Sequence, residues 1–479
     1  MQKILYMPVE TVVRDLDGNL LLGYEAMKRG YDFVVGTIET VKEYAQFRGS
    51  GAYLFKHWEH NFPFPLDHPA RENYCYIGFH PEGLVYVGDE FMKKMNVNGK
   101  SERLDLKFVY GDEQKELLLG VNPKLKGNLH AVGHPRFDLL RPEHHHLYQD
   151  EADRIRKRYG KYILVNTNFS LGNPAKYYDK GLVERKEEDH QNKYGRPLDP
   201  ELREFYENSV NHFTRMFEEY FEMIKHLGRS NTGFTIVVRP HPSEDHGIYH
   251  SEFKGTDNVE VIHKGNVINW ILGAETVIQT GCTTGIETWA TQKPAIRYNP
   301  VEDAEKYESK LPNEFGIHAG SLDELDHLIN LLKEGKLKSS FESQRNYAKH
   351  YIESIDGPES VVRMMDLIEE AVKNQSGGEF SKSTNIRKKR PFSEVKEEIR
   401  KRILRKVRTT DWLMKWRHGE KVASEKASAY QKFSGISKSH IQRFIKKMSE
   451  KNGDGIYSGV KVTKVNQDTW LVQQNQVSG

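Results

Sequence analysis

The sequence predicts an α/β protein of two Rossmann-like domains that face each other across a cleft. Short apolar strand-like runs alternate with helical runs through the first 140 residues. After a polar helical stretch around 143–159 the same alternation starts again, with no sequence repeat between the halves. Strands interleaved with helices need crossover connections, and crossovers give parallel sheets. A strongly basic end to the chain adds a helical C-terminal extension.

Each element follows from its own residues. "KILYMPV" (3–9) reads as the first strand and not as a signal peptide, because its short apolar run meets Glu10 at once. A polar turn, "RDLDGN" (14–19), leads into a helical run, "LLLGYEAMKRG". "YDFVVGT" (31–37), "YCYIGF" (74–79) and "LKFVYG" (106–111) are later strands, and "GHPRFDLL" (133–140) closes a first domain over 1–142. The second domain, 143–375, has strands "KYILVNTNF" (161–169), "FTIVVRP" (234–240), "VEVIHKG" (259–265), "ETVIQTG" (275–281) and "PAIRYNP" (294–300). An insertion with a helix at 199–227 separates the first two, and helices at 322–334 and 357–374 close the domain. A Gly- and Ser-rich linker covers 376–390, and the extension runs over 391–479.

With 29% charged and 11% aromatic residues in 479, the chain has the profile of a water-soluble protein with ample core material. No apolar run approaches the roughly 18–20 residues of a membrane span. Cys75 and Cys282 are far apart and fit no metal pattern, which points to a reducing cytoplasm. The net charge of +3 hides an asymmetry. Residues 381–450 hold 21 Lys and Arg against 7 Asp and Glu, a local +14 that leaves −11 for the rest. Ile399, Ile403, Leu404, Val407, Trp412, Leu413 and Trp416 lie among those charges, the pattern of a helix for an anionic membrane surface, here placed in 391–450. No nucleic-acid-binding motif accompanies the charge, and no nucleic-acid partner is expected.

Four His-Pro pairs stand in the chain, at 68, 80, 134 and 241. His241 follows a β-branched strand, where the carboxyl end of a sheet opens on the cleft, and Pro240 and Pro242 fix the backbone around it. Its imidazole suits a phosphate oxygen, with Arg239 adding charge. In "QTGCTTGIETWA" (279–290), Gly281 and Gly285 permit close backbone approach, while Thr283 and Thr284 offer hydroxyls at a helix start. Thr284 and Glu287 also match a capping box, and Cys282 reads as a small filler of the loop. Glu82, in "GFHPEGLVY" (78–86), is placed at a strand end as a general base. Asp15 and Asp17 read as helix-capping residues, with Arg14 a candidate acceptor or anion contact. The "HHH" at 144–146 and the pairs at 68 and 134 read as structural.

Six stretches in order carry a family resemblance: "RDLDGNLLLGYEAMKRG", "HPEGLVY", "GHPRFDLLRPE", "YILVNTNFSLGNP", "RPHPSE" and "TGCTTGIETWATQKPAIRY". Together they resemble the bacterial surface-carbohydrate biosynthesis proteins, taken to be cytoplasmic GT-B glycosyltransferases. More distantly, the chain is similar to sialyltransferases and Kdo transferases that use CMP-activated sugars. Those carry an acidic-acidic-Gly motif, a His-Pro motif and a hydroxyl pair. Glu82-Gly83, His241-Pro242 and Thr283-Thr284 stand in those places, and His80-Pro81 departs from the first motif. The resemblance implies a nucleotide-sugar donor, a saccharide or lipid-linked acceptor, no metal and no resident cofactor. It also implies a cytoplasmic enzyme, peripheral on the inner membrane face. The rival readings are a CDP-glycerol-type polyol-phosphate transferase, a sugar-nucleotide epimerase and a non-catalytic nucleic-acid-binding protein.

Overall fold

The computed structural model describes residues 3–55, 62–79, 83–86, 101–175, 180–230, 232–376 and 435–474. Two sheets dominate it. In the first, strands β1 (Lys3–Val9), β2 (Tyr31–Thr37), β3 (Gly51–Phe55), β4 (Tyr74–Phe79), β5 (Leu106–Val109) and β6 (Leu129–Ala131) pair in parallel, in the order β2-β1-β3-β4-β5-β6. The second has β7 (Tyr162–Asn166), β8 (Thr235–Arg239), β9 (Val259–Val261), β10 (Thr276–Gln279), β11 (Ala295–Tyr298) and β12 (Ile317–Ala319). These are also all parallel, in the order β12-β11-β10-β7-β8-β9.

The strand sequences explain the layering. A parallel sheet covered by helices on both faces needs continuous apolar strands rather than alternating ones. In β1, Leu5, Met7 and Val9 enter one core while Ile4 and Tyr6 enter another on the opposite face. β4 is buried along its whole length. The α/β architecture expected from the sequence is therefore present, with three short strands, β3, β6 and β12, that the sequence reading passed over.

Three differences bear on the site. First, "RDLDGN" is no turn but part of the helix Val12–Lys28. The Asp15 carboxylate accepts the N–H groups of Glu10 (3.3 Å) and Thr11 (2.9 Å), taking up donors at the helix start. At Gly18 an added Cβ would sit 3.4 Å from Pro135 and from the Arg136 nitrogen, an ordinary contact between this helix and the next segment. Second, the helix Ser360–Ser376, expected to close the second domain, packs on the first sheet. Its Val361, Met364, Met365, Ile368 and Val372 share a core with Leu5, Leu20 and Ile77.

Third, the described end of the chain is not an extension. The helix Lys438–Asn452 buries Ile441, Phe444, Ile445 and Met448, an i, i+3, i+4, i+7 stripe, in the first domain's core. A hairpin of β13 (Val460–Asn466) and β14 (Thr469–Gln474) then joins the first sheet, β14 pairing antiparallel with β2 through Leu471↔Val34. A Cβ on Gly36 would strike Thr469, so this glycine admits the hairpin. The basic residues of 438–450 thus belong to a docked helix whose apolar face is already covered, while 391–434 lies outside the described residues. Deleting 435–474 removes nine buried apolar side chains, among them Ile441, Phe444, Ile445, Met448 and Val472, each worth about 1.5–3 kcal/mol. The expected result is a first domain that fails to fold, read as loss of the soluble product and of its thermal transition.

Candidate functional site

A cavity of about 530 Å³ lies between the two sheets, where strands of both end. From the first domain it is lined by the start of the Val12–Lys28 helix, by Gly83–Val85, Tyr110 and Arg136. The second domain supplies 166–168, 239–243, His263, 265–268, 282–284 and Glu287. Ligands of open α/β sheets sit at these carboxyl edges.

His241 lines the cavity just past β8. Its Nδ1 accepts from the Ser243 N–H at 3.2 Å, so the proton of the neutral ring sits on Nε2 and that nitrogen donates. The backbone beneath is held by Glu244, a buried residue that the sequence reading did not select. One carboxylate oxygen accepts from His241 N (3.2 Å), Phe169 N (3.0 Å) and the Thr167 hydroxyl (2.7 Å), and the other from the Tyr249 hydroxyl (2.5 Å). Burial pushes the Glu244 carboxyl upward, against the pull of these donors. Pro242 lines the cavity beside His241.

Arg239 is placed differently from the expectation. It lines the cavity, but its two terminal nitrogens donate to the carbonyls of Lys264 (2.8 Å) and Gly265 (2.7 Å). Burial lowers its pKa to about 10. It clamps the 263–266 loop. That loop brings in His263, which sequence reasoning missed; the one signal was a histidine just past a strand end. His263 Nδ1 donates to Pro240 O at 2.9 Å, and burial, with Arg239 and His246 nearby, lowers its pKa to about 4. The ring is neutral and its Nε2 accepts, the opposite polarity to His241.

The helix Thr283–Ala290 begins at the cavity, with Cys282 as N-cap, and Thr283 and Thr284 face the cavity. The two glycines of this loop do not line it. Gly281, at φ +55°, gives its N–H to Asn313 and backs onto the buried Glu308, while a Cβ on Gly285 would meet the Gln279 amide at 2.5 Å. Both serve packing of the loop. The capping box is also replaced: Glu287 pairs with Arg136 across the cleft (Nε to Oε1 2.5 Å). Burial raises the Cys282 thiol, as suits a filler rather than a nucleophile.

Arg14 lines the cavity with its Nε 3.2 Å from Asp15, and Glu82 lies outside the described residues, although Gly83 beside it is at the cleft. Asp17 joins four elements. It accepts from Tyr148 (3.1 Å) and Asn266 (3.4 Å) through one oxygen, while the other meets His440 of the docked C-terminal helix at 2.6 Å. His68 and His134 make the same turn as His241, each Nδ1 accepting the N–H two residues on, at 3.1 and 3.0 Å. Among the described residues no group of three or more His, Cys, Asp or Glu is placed to hold a metal ion, and no helix is long and apolar enough to cross a membrane.

Neither a protein-family model nor a curated protein matches the chain. Among solved structures it is similar to the wall teichoic acid polymerase TagF, at 13% identity and a TM-score of 0.44, over 78% of this chain and 90% of that one. It is similar to a glycosyltransferase from Rickettsia africae ESF-5, at 11% and 0.43, over 78% and 99%. A UDP-GlcNAc 2-epimerase from Methanocaldococcus jannaschii gives 12% and 0.42, over 77% and 99%. The six parallel strands of each sheet open on one cleft. The likenesses are remote, and the functional reading rests on the site's own residues.

The contact between His440 and Asp17 makes a pH prediction. Burial opposes protonation of His440, but Asp17 outweighs it and raises the pKa. A raised histidine stabilises the fold fully below its unfolded value and loses that contribution as pH rises through the folded value. Urea midpoints should therefore hold below about pH 6.5 and fall as pH rises above it in wild type, and that fall should flatten in His440→Asn.

Proposed function

We propose that the chain is a nucleotide-sugar-dependent glycosyltransferase. One observation supports this reading above the others. The Nε2 donor of His241, the hydroxyls of Thr283 and Thr284 and the N-terminus of the Thr283–Ala290 helix line one side of a single inter-sheet cavity. Such donors suit the phosphates of an activated sugar, and they would stabilise the departing phosphate as its charge develops. Glu82, next to cleft-lining Gly83, is the proposed base for the acceptor hydroxyl. The reading calls for no resident cofactor and takes a saccharide or lipid-linked acceptor of a bacterial surface polymer, made on the cytoplasmic side of the membrane. A CMP-activated keto-acid sugar is the proposed donor, on the strength of the His-Pro and hydroxyl-pair motifs.

Calorimetric titration with CMP, CDP, UDP and GDP tests it on wild type and His241→Ala. CMP should bind, and the variant should bind it about 10–100-fold more weakly, the worth of a hydrogen bond to a charged acceptor. Preference for UDP or GDP would sink the keto-acid donor, and no nucleotide binding would sink the whole reading.

A further inference from the structure

One polar group of the cavity floor has no role in the reading above. Asn166 ends β7, is 4% exposed and lines the cavity. Its Nδ2 is buried with no hydrogen-bond partner among the described residues. A buried donor left without an acceptor keeps its full desolvation cost, so an isolated amide is a liability unless something else supplies the acceptor.

Its neighbours show where that acceptor would lie. β7 runs between β8 and β10, and Asn166 stands in register with Arg239. β8 leads straight into His241, while β10 leads into Thr283 and Thr284. Asn166 therefore sits at the midline between the two donor groups. Neither flank satisfies it: Arg239 has only donors to offer, and the Thr167 hydroxyl, which donates to Glu244, accepts from the His241 N–H at 3.4 Å. The missing partner must be an acceptor, it must enter from the cavity, and it sits among groups that are themselves donors. Anionic oxygen meets all three conditions.

We propose that Asn166 donates through Nδ2 to a phosphoryl oxygen of the nucleotide-sugar, between His241 and the Thr283–Thr284 loop. The assignment rests on the glycosyltransferase reading and adds to it the residue that fixes the phosphate at the centre of the site.

Asn166→Ala and Asn166→Asp, in the full chain, test it by calorimetry with whichever of CMP, CDP, UDP and GDP the wild type binds, together with thermal melting. Asn166→Ala should weaken the nucleotide about 10–100-fold. Its melting temperature should hold or rise, because an unsatisfied donor has been removed. Asn166→Asp should bind more weakly still, since a carboxylate then faces the phosphate. Unchanged affinity in Asn166→Ala, or a fallen melting temperature, overturns the proposal. So does Asn166→Asp binding as well as Asn166→Ala or better, which would mean a neutral acceptor or a hydroxyl at that point. A wild type that binds no nucleotide overturns the functional reading itself, whereas binding without an Asn166 effect overturns this assignment alone.

Discussion

Arg136→Ala should destabilise the protein by about 3–5 kcal/mol, because it strands a buried carboxylate between the two domains. Glu287 is 1% exposed and takes its charge partner from the short helix Pro135–Asp138 of the opposite domain. Glu287→Gln should cost a similar amount, now leaving the guanidinium unpaired. The apolar double variant Arg136→Met/Glu287→Leu should recover most of the loss, since desolvating two charges offsets much of what their pairing gains. Chemical denaturation of the three variants makes the comparison. A double variant as unstable as Arg136→Ala would show that packing, and not charge, makes the contact.

Glu244→Ala should have the second large effect, on binding and stability together. It strands two backbone N–H groups, of Phe169 and His241, and two hydroxyls, of Thr167 and Tyr249. At about 1–3 kcal/mol for each buried group left unmade, a loss of at least about 4 kcal/mol is expected. His241 would also lose the backbone support that aims its ring. Glu244→Gln keeps an acceptor at Oε1, and the Tyr249 hydroxyl can accept as well as donate. That variant should fold near wild type and retain most of its nucleotide affinity. Equal failure of both variants would mean that the charge itself, and not the acceptor geometry, organises the loop.

The two sheets were legible because their strands are buried on both faces, and runs such as β1 and β4 then read as unbroken apolar stretches. β13 and β14 were hidden for the opposite reason. They form an edge, β13 carries Lys461 and Thr463 between its valines, and the hairpin turns at Asp468 (φ +53°) without a glycine to mark the bend. The helix Ser360–Ser376 was found as a helix, but an amphipathic pattern says that a face is buried and not against what. The same limit governed the site. His241 could be singled out because its prolines are its sequence neighbours. Arg136, Glu244, His263 and Asp17 owe their roles to partners as far as 423 residues away, and no local pattern encodes those distances. Gly281 and Gly285 were legible as special backbone positions, yet the groups that approach them are Glu308 and Gln279 rather than a ligand.

The return of β14 to β2 sets an order of assembly. Every strand of the second sheet comes from one continuous stretch, 162–319, so that layer can form as soon as those residues leave the ribosome. The first sheet begins earlier and finishes last. Its β2 edge stays open until residues some 430 positions downstream are made, since Leu471 is the partner of Val34. For most of synthesis the nascent chain therefore displays an unpaired strand edge beside an unfilled apolar groove, the configuration most exposed to chaperone capture and to aggregation.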